Sequence, residues 1–177
     1  MGEKGLPVLD LDNPFWQFSC AVYAMPGVAA ACIALQDEAG ADVNLVLLAA
    51  WAGASRGRAV TAVDFAEAPG KQWHEEIIRP LRALRRTAKS HTGPIADPAV
   101  EALYHQLLAC ELGAERIRQA ELHRWADPRF PAQPPRLGLA PRRGLAHDNL
   151  VATLGGTHLI ASAMTTIALA AEVRCIA

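Results

Sequence analysis

An all-α bundle of five to six helices, closed as a single domain over residues 1–177, is what this chain should form. Cap-plus-proline pairs at Asn13-Pro14 and Asp97-Pro98 mark two helix starts. In each, a short polar side chain can accept an orphan amide and proline suits the first helical position. Apolar residues recur at three- and four-residue spacing along most of the chain. No run alternates apolar and polar residues between hairpin turns, and there is no internal repeat, so no sheet is expected.

Residues 1–12 read as an N-terminal tail, and the first helix runs from Pro14 to about Met25. Pro26 ends it, having no amide to continue the ladder. Val28, Ala31, Cys32 and Leu35 give the second helix a buried stripe, and Gly40 supplies the left-handed residue that stops it. Asp42 then caps a third helix whose interior, LVLLAAWAGA, is apolar all round and so should be enclosed by neighbours. Residues 61 to 68 amount to one turn.

Between Gly70 and Ser90 the spacing predicts a helix with Trp73, Ile77, Leu81, Leu84 and Ala88 on its core face. Glu75, Arg79, Arg82, Arg86 and Lys89 fall on the opposite face, and Pro80 predicts a kink. The next helix, Asp97 to about Trp125, should bury Leu103, Leu107, Cys110, Ala114 and Ile117. Residues 127–144, DPRFPAQPPRLGLAPRRG, hold five prolines and four arginines and read as an extended connector. A last helix, from about His147 to Arg174, completes the bundle.

Composition narrows the function classes. Seventeen Lys and Arg stand against 18 Asp and Glu, so overall charge recruits neither nucleic acid nor an anionic membrane surface. Cys20, Cys32, Cys110 and Cys175 form no C-x-x-C pair and no zinc-type doublet. The amino terminus lacks a secretory pattern, which makes the reducing cytoplasm the expected compartment. Leu150 to Ala171 carries no formal charge over 22 residues, long enough to span a bilayer. Its Gly155-Gly156, His158, Ser162 and four threonines instead suit a central buried helix, so no stable membrane insertion is expected.

Phe15-Trp16, Phe18-Ser19, Tyr23, Pro26-Gly27-Val28, Leu35-Gln36-Asp37, Asp42-Val43-Asn44-Leu45 and Trp51 stand together over residues 13 to 53. In these motifs the chain resembles a proteobacterial family of uncharacterised small helical proteins, the domain of unknown function numbered 2390. The resemblance implies a small helical cytosolic protein and brings with it no activity, substrate or catalytic residue.

Catalytic and metal motifs are missing. There is no G-x-S-x-G elbow, LGGTH follows no strand, and no cysteine sits in a motif that would lower its pKa. Glu101 and His105 are spaced i, i+4 on an outward stripe with Glu115 and Gln119, not as the inward Glu-x-x-His of a di-iron bundle. No metal or cofactor is therefore expected. Catalytic groups converging from distant helices leave no such signature, so catalysis stays open.

Two constellations carry a functional reading. The basic stripe of Arg79, Arg82, Arg86 and Lys89, extended by Arg129, Arg136, Arg142 and Arg143 of the connector, suits an acidic protein partner. Nucleic acid fits poorly, since Phe130 is the one aromatic between the connector arginines. The helix from Asp97 to Glu115 balances this stripe with four carboxylates and no Lys or Arg. The favoured reading is thus a non-catalytic interaction or regulatory protein. The alternative is a small-molecule-binding protein or cryptic enzyme with a pocket among the first three helices. Trp16, Tyr23, Asn44 and Trp51 would line it, with Gln36, Asp37, Asp42 and His158 as polar groups. Asp42 is explained by capping alone, and Asn44, on the face of Trp51, should find its partner in Gln36 or Asp37.

Overall fold

The computed structural model describes residues 8–94, 97–132, 139–154 and 161–174. His158, Arg136 and Cys175 lie outside them. Among the described residues the chain is helical with no strand. The helices are α1 (Pro14–Tyr23), α2 (Val28–Ala39), α3 (Val43–Ala54), α4 (Ala62–Ala66), α5 (Lys71–Trp73), α6 (Arg79–Ser90), α7 (Pro98–Ala126), α8 (Leu139–Leu154) and α9 (Ala161–Arg174). A π-helical turn, His74–Ile78, joins α5 to α6.

The punctuation read from the sequence forms as local chemistry requires. Asn13 Oδ1 accepts the amide of Trp16 at 3.0 Å, Asp42 Oδ1 that of Asn44 at 3.0 Å, and Asp97 Oδ1 that of Ala99 at 2.8 Å. Gly40 closes α2 at φ 63°, a left-handed geometry that a Cβ would strain. Val28, Ala31, Cys32 and Leu35 are buried, and α3 is buried from Val46 through Ala54. This helix is the hub of the apolar core, packed by α1, α7, α8 and α9.

Three elements depart from expectation. The single turn expected over residues 61 to 68 forms as α4, closed by a capping box between Thr61 and Asp64, whereas the last segment contains two helices among the described residues. Those helices raise the number above five to six. Residues 139–144, expected in the connector, open α8 instead. Pro141 is its third residue, where the missing amide would have had no helical partner anyway.

The third departure matters most for the site. Pro80 has no amide to give the preceding turn, and the ladder widens to π geometry immediately before it. The widened turn rotates the following helix by about one residue. Ile78 and Arg82 become buried, while Ile77 and Leu84 turn outward. The expected core face of α7 is displaced likewise: Ala114 is buried as expected, but Leu103 and Cys110 are exposed, and Glu111, Arg118, Leu122 and Ala126 are buried.

On the far side of α3, helix α8 approaches backbone to backbone. A Cβ on Gly53 would lie 2.5 Å from the Ala146 nitrogen and 2.6 Å from its Cα. Below them Asn149 ties down the loop after α3, donating to Ala49 and Arg58 carbonyls and accepting from the Val60 amide. Gly53→Ala is accordingly expected to destabilise by about 1–3 kcal/mol through overpacking, despite the better helix propensity of alanine. A urea melt with an unchanged midpoint would show that α8 can shift away freely.

Candidate functional site

Helices α6 and α7 pack as an antiparallel pair. Trp73 Nε1 donates to the Ala114 carbonyl at 3.0 Å, Arg82 meets Glu111, and Lys89 lies over the Tyr104 ring at 4.7 Å. Part of their charged faces therefore meets across the pair and not solvent. Arg82 Nε donates to Glu111 at 2.9 Å and Arg82 Nη2 to Glu115 at 2.6 Å, while Arg85 Nε bonds the second Glu111 oxygen. Arg82 and Glu111 are both buried, so the expected outward placement of Arg82, and of Glu115 on the acidic stripe, is corrected. The rest of the basic stripe stays outside: Arg79 pairs with Glu75 at 2.6 Å and Arg86 with Asp37 at 2.7 Å.

Against this pair lie α1, α2 and the start of α3, leaving a cleft of about 570 Å³. Its apolar wall comes from Trp16, Tyr23, Ile33, Leu47, Leu108 and Leu112. Its polar wall comes from Gln36, Asn44 and Gln119 and from Arg82, Arg85, Arg86, Glu111 and Glu115. Tyr23, Ile33 and Leu112 are exposed at 41%, 50% and 48%, so the apolar side is open to solvent. Volume and mixed lining are those of a small-molecule site.

Of the eight residues expected at a pocket, four line this one, Trp16, Tyr23, Gln36 and Asn44, and His158 lies outside the described residues. Asp37 stands at its edge, where the Arg86 hydrogen bond holds its carboxyl below the usual range. Trp51 is instead a core residue, its ring 5.5 Å from Phe15 and 5.7 Å from His123, with the Arg56 guanidinium over it. Asn44 does share the face of Trp51, and that face looks at α7. Its partner is not Gln36 or Asp37 but Gln119, whose Nε2 donates to Asn44 Oδ1 at 2.9 Å. The α6 and α7 side of the cleft was missed by sequence reasoning. The signal available was the i, i+3, i+4 grouping of Arg82, Arg85 and Arg86 opposite Glu111 and Glu115.

Two buried lining groups have no hydrogen-bond partner among the described residues: Ser19 Oγ and Gln119 Oε1. Buried polar atoms are otherwise almost always bonded. Burial also raises the Glu115 carboxyl, against the pull of Arg82, and pushes the Cys32 thiol up to about 12, so that sulfur is no nucleophile at neutral pH.

Behind the cleft Asp42 does more than cap α3. Its Oδ2 accepts from Arg118 Nη2 at 3.1 Å and stands 3.5 Å from His74 Nδ1. Burial depresses the His74 pKa below 6.5, outweighing the attraction of Asp42, and burial depresses His123 as well. A depressed folded-state pKa gives stability that is complete above 6.5 and lost as pH falls through the lower folded value. Wild-type protein is thus expected to lose more stability between pH 7.5 and 5.5 than His74→Gln does. Parallel slopes in urea melts at the two pH values would remove His74 from the account. Glu115 acts in the opposite sense, its contribution being complete below 4.5 and lost as pH rises, which is why the comparison uses the variant.

No single helix among the described residues is long and apolar enough to cross a membrane. The profile of the family described as Protein of unknown function (DUF2390) matches residues 14–122, a span that contains every residue lining the cleft. No curated protein and no solved structure matches the chain.

Proposed function

The chain belongs to the DUF2390 family, and we propose that it is a small-molecule-binding protein whose site is the cleft between α1, α2, α3 and the α6–α7 pair. The observation that carries this reading is the cleft itself, about 570 Å³, in which an apolar wall with the exposed side chains Tyr23, Ile33 and Leu112 faces a polar and charged one. A bound molecule would cover Tyr23, Ile33 and Leu112 while its polar end met the charged wall. Docking of an acidic protein on the basic stripe has less support, because Arg82 is buried and Arg79 and Arg86 already face carboxylates.

Native against denaturing mass spectrometry of gently purified protein tests the reading. A reproducible extra small-molecule mass is expected, and it should be lost from the variant Tyr23→Ala/Leu112→Ala if that variant keeps the wild-type circular dichroism. A bare chain, together with no thermal shift across a metabolite library, would reject it. Asn44→Ala adds a second readout: a folded variant that no longer retains the mass assigns the Asn44–Gln119 pair to binding and not only to helix packing.

A further inference from the structure

The charges lining the cleft are unequal. Arg82, Arg85 and Arg86 follow one another along a single face of α6, and two carboxylates, Glu111 and Glu115, line the cleft with them. Glu111 is fully engaged, one oxygen taken by Arg82 and the other by Arg85. The bonds that the three arginines make to carboxylates use Arg82 Nε and Nη2, Arg85 Nε and Arg86 Nη2, and Arg85 also bonds Tyr104. A guanidinium carries five N–H donors, so each keeps donors beyond these bonds. The third arginine, Arg86, is balanced only by Asp37, which lies outside the cleft on α2. Both side chains of that pair are nearly half exposed, at 47% and 45%, and exposed pairs of this kind are weak and readily exchanged.

Resting on the binding reading above, we propose that the ligand is an amphipathic carboxylate. Its apolar body lies against Trp16, Tyr23, Ile33, Leu108 and Leu112, and its head group draws Arg86 away from Asp37 to join Arg85 at the mouth of the cleft. Charge, geometry and exposure agree on this. An anion can take the place of Asp37 beside Arg86, a carboxylate matches the planar fork of a guanidinium, and Arg86 is the arginine whose present partner is easily replaced. A cationic head group would instead meet three guanidiniums. A neutral one could not replace the charge of Asp37. Burial of Glu115, which disfavours its ionised form, leaves the cleft still more receptive to an anion. Asp37 in this arrangement is a competitor for the ligand's own site, so removing its charge should strengthen binding.

The test uses the full chain with three probes of one tail and different heads, decanoate, 1-decanol and decylammonium, all kept below their micellar concentrations. Binding is followed by tryptophan fluorescence, Trp16 being in the wall, and by calorimetry. Decanoate is expected to bind at least about tenfold tighter than decanol, and decylammonium weakest. Arg86→Gln should weaken decanoate about tenfold, Asp37→Asn should tighten it about two- to fivefold, and neither should change decanol binding. Decanol binding as tightly as decanoate, or decylammonium binding best, would overturn the carboxylate assignment and leave the cleft a binding site of another class. Weakening of decanoate by Asp37→Asn would also overturn it, since Asp37 could not then be a competitor. If none of the three probes binds, the assignment and the binding reading fall together.

Discussion

Glu111→Ala is expected to lower the stability of the protein by about 3–5 kcal/mol, the cost typical of removing one partner from a buried ion pair. The carboxylate is 5% exposed and holds two guanidiniums at once, Arg82 through Oε1 and Arg85 through Oε2. Arginine does not deprotonate in proteins, so both charges persist after the substitution. Arg82 is itself buried and would keep only Glu115. Glu115 is the informative contrast. It has a single bond to Arg82, and burial has already raised its pKa, so its ionised form is disfavoured in the folded state. Glu115→Gln should therefore cost less than about 1 kcal/mol, since the amide oxygen can still accept from Arg82 and no charge need be buried. Urea unfolding of both variants at neutral pH, compared at a common m value, reads the difference. Equal losses would mean that Glu111 carries no more of the pairing than Glu115 does. None of this makes the cluster a large net source of stability, because desolvation offsets much of the attraction. What it fixes is which faces of two helices meet, and hence the polar wall of the cleft.

That same cluster marks the limit of what could be read from the sequence. Helix starts and stops were legible because they depend on neighbours along the chain: Asn13 on the Trp16 amide, Asp42 on the Asn44 amide, Gly40 on its own φ. The enclosure of α3 was legible because ten residues without a charge leave no face for solvent. The faces of α6 and α7 were not. A stripe of arginines and a stripe of glutamates each look solvated when taken singly, and the rule that apolar faces turn inward then selects Leu84 and Leu103, both of which are exposed. The opposed charge of the two helices is visible in the sequence, but charge balance alone does not say that the pairs are buried. Burial of the cluster depends on the π turn before Pro80, which shifts the helix by about one residue, and periodicity with a fixed 3.6-residue turn cannot anticipate such a shift. Half of the cleft was consequently legible: Trp16, Tyr23, Gln36 and Asn44 come from the punctuated first three helices, and the charged wall comes from the pair whose faces were misassigned.

Asp42→Asn separates two roles that the sequence could not tell apart, and it is expected to cost about 3–5 kcal/mol. If Asp42 served only as the N-cap of α3, this change would be close to neutral, since asparagine caps as well as aspartate. The structure gives the second carboxylate oxygen another task. It accepts from Arg118 Nη2 at 3.1 Å, and the Arg118 side chain is 1% exposed, with Nε and Nη1 lacking hydrogen-bond partners among the described residues. Asp42 is the carboxylate paired with that guanidinium among the described residues, and His74, also beside Asp42, is held neutral by burial and so does not compete for it. Removing that counter-charge strands a buried cation, whereas Asp42→Ala adds the loss of the cap, worth about 1 kcal/mol more. The decisive comparison is a double-mutant cycle with Arg118→Met, which takes away the cation and keeps much of the aliphatic stem. Within the Arg118→Met background Asp42→Asn should become nearly neutral, and the two substitutions together should cost less than Asp42→Asn alone. Additive losses would instead return Asp42 to the simple cap and leave the burial of Arg118 without a function in holding α7 to α3.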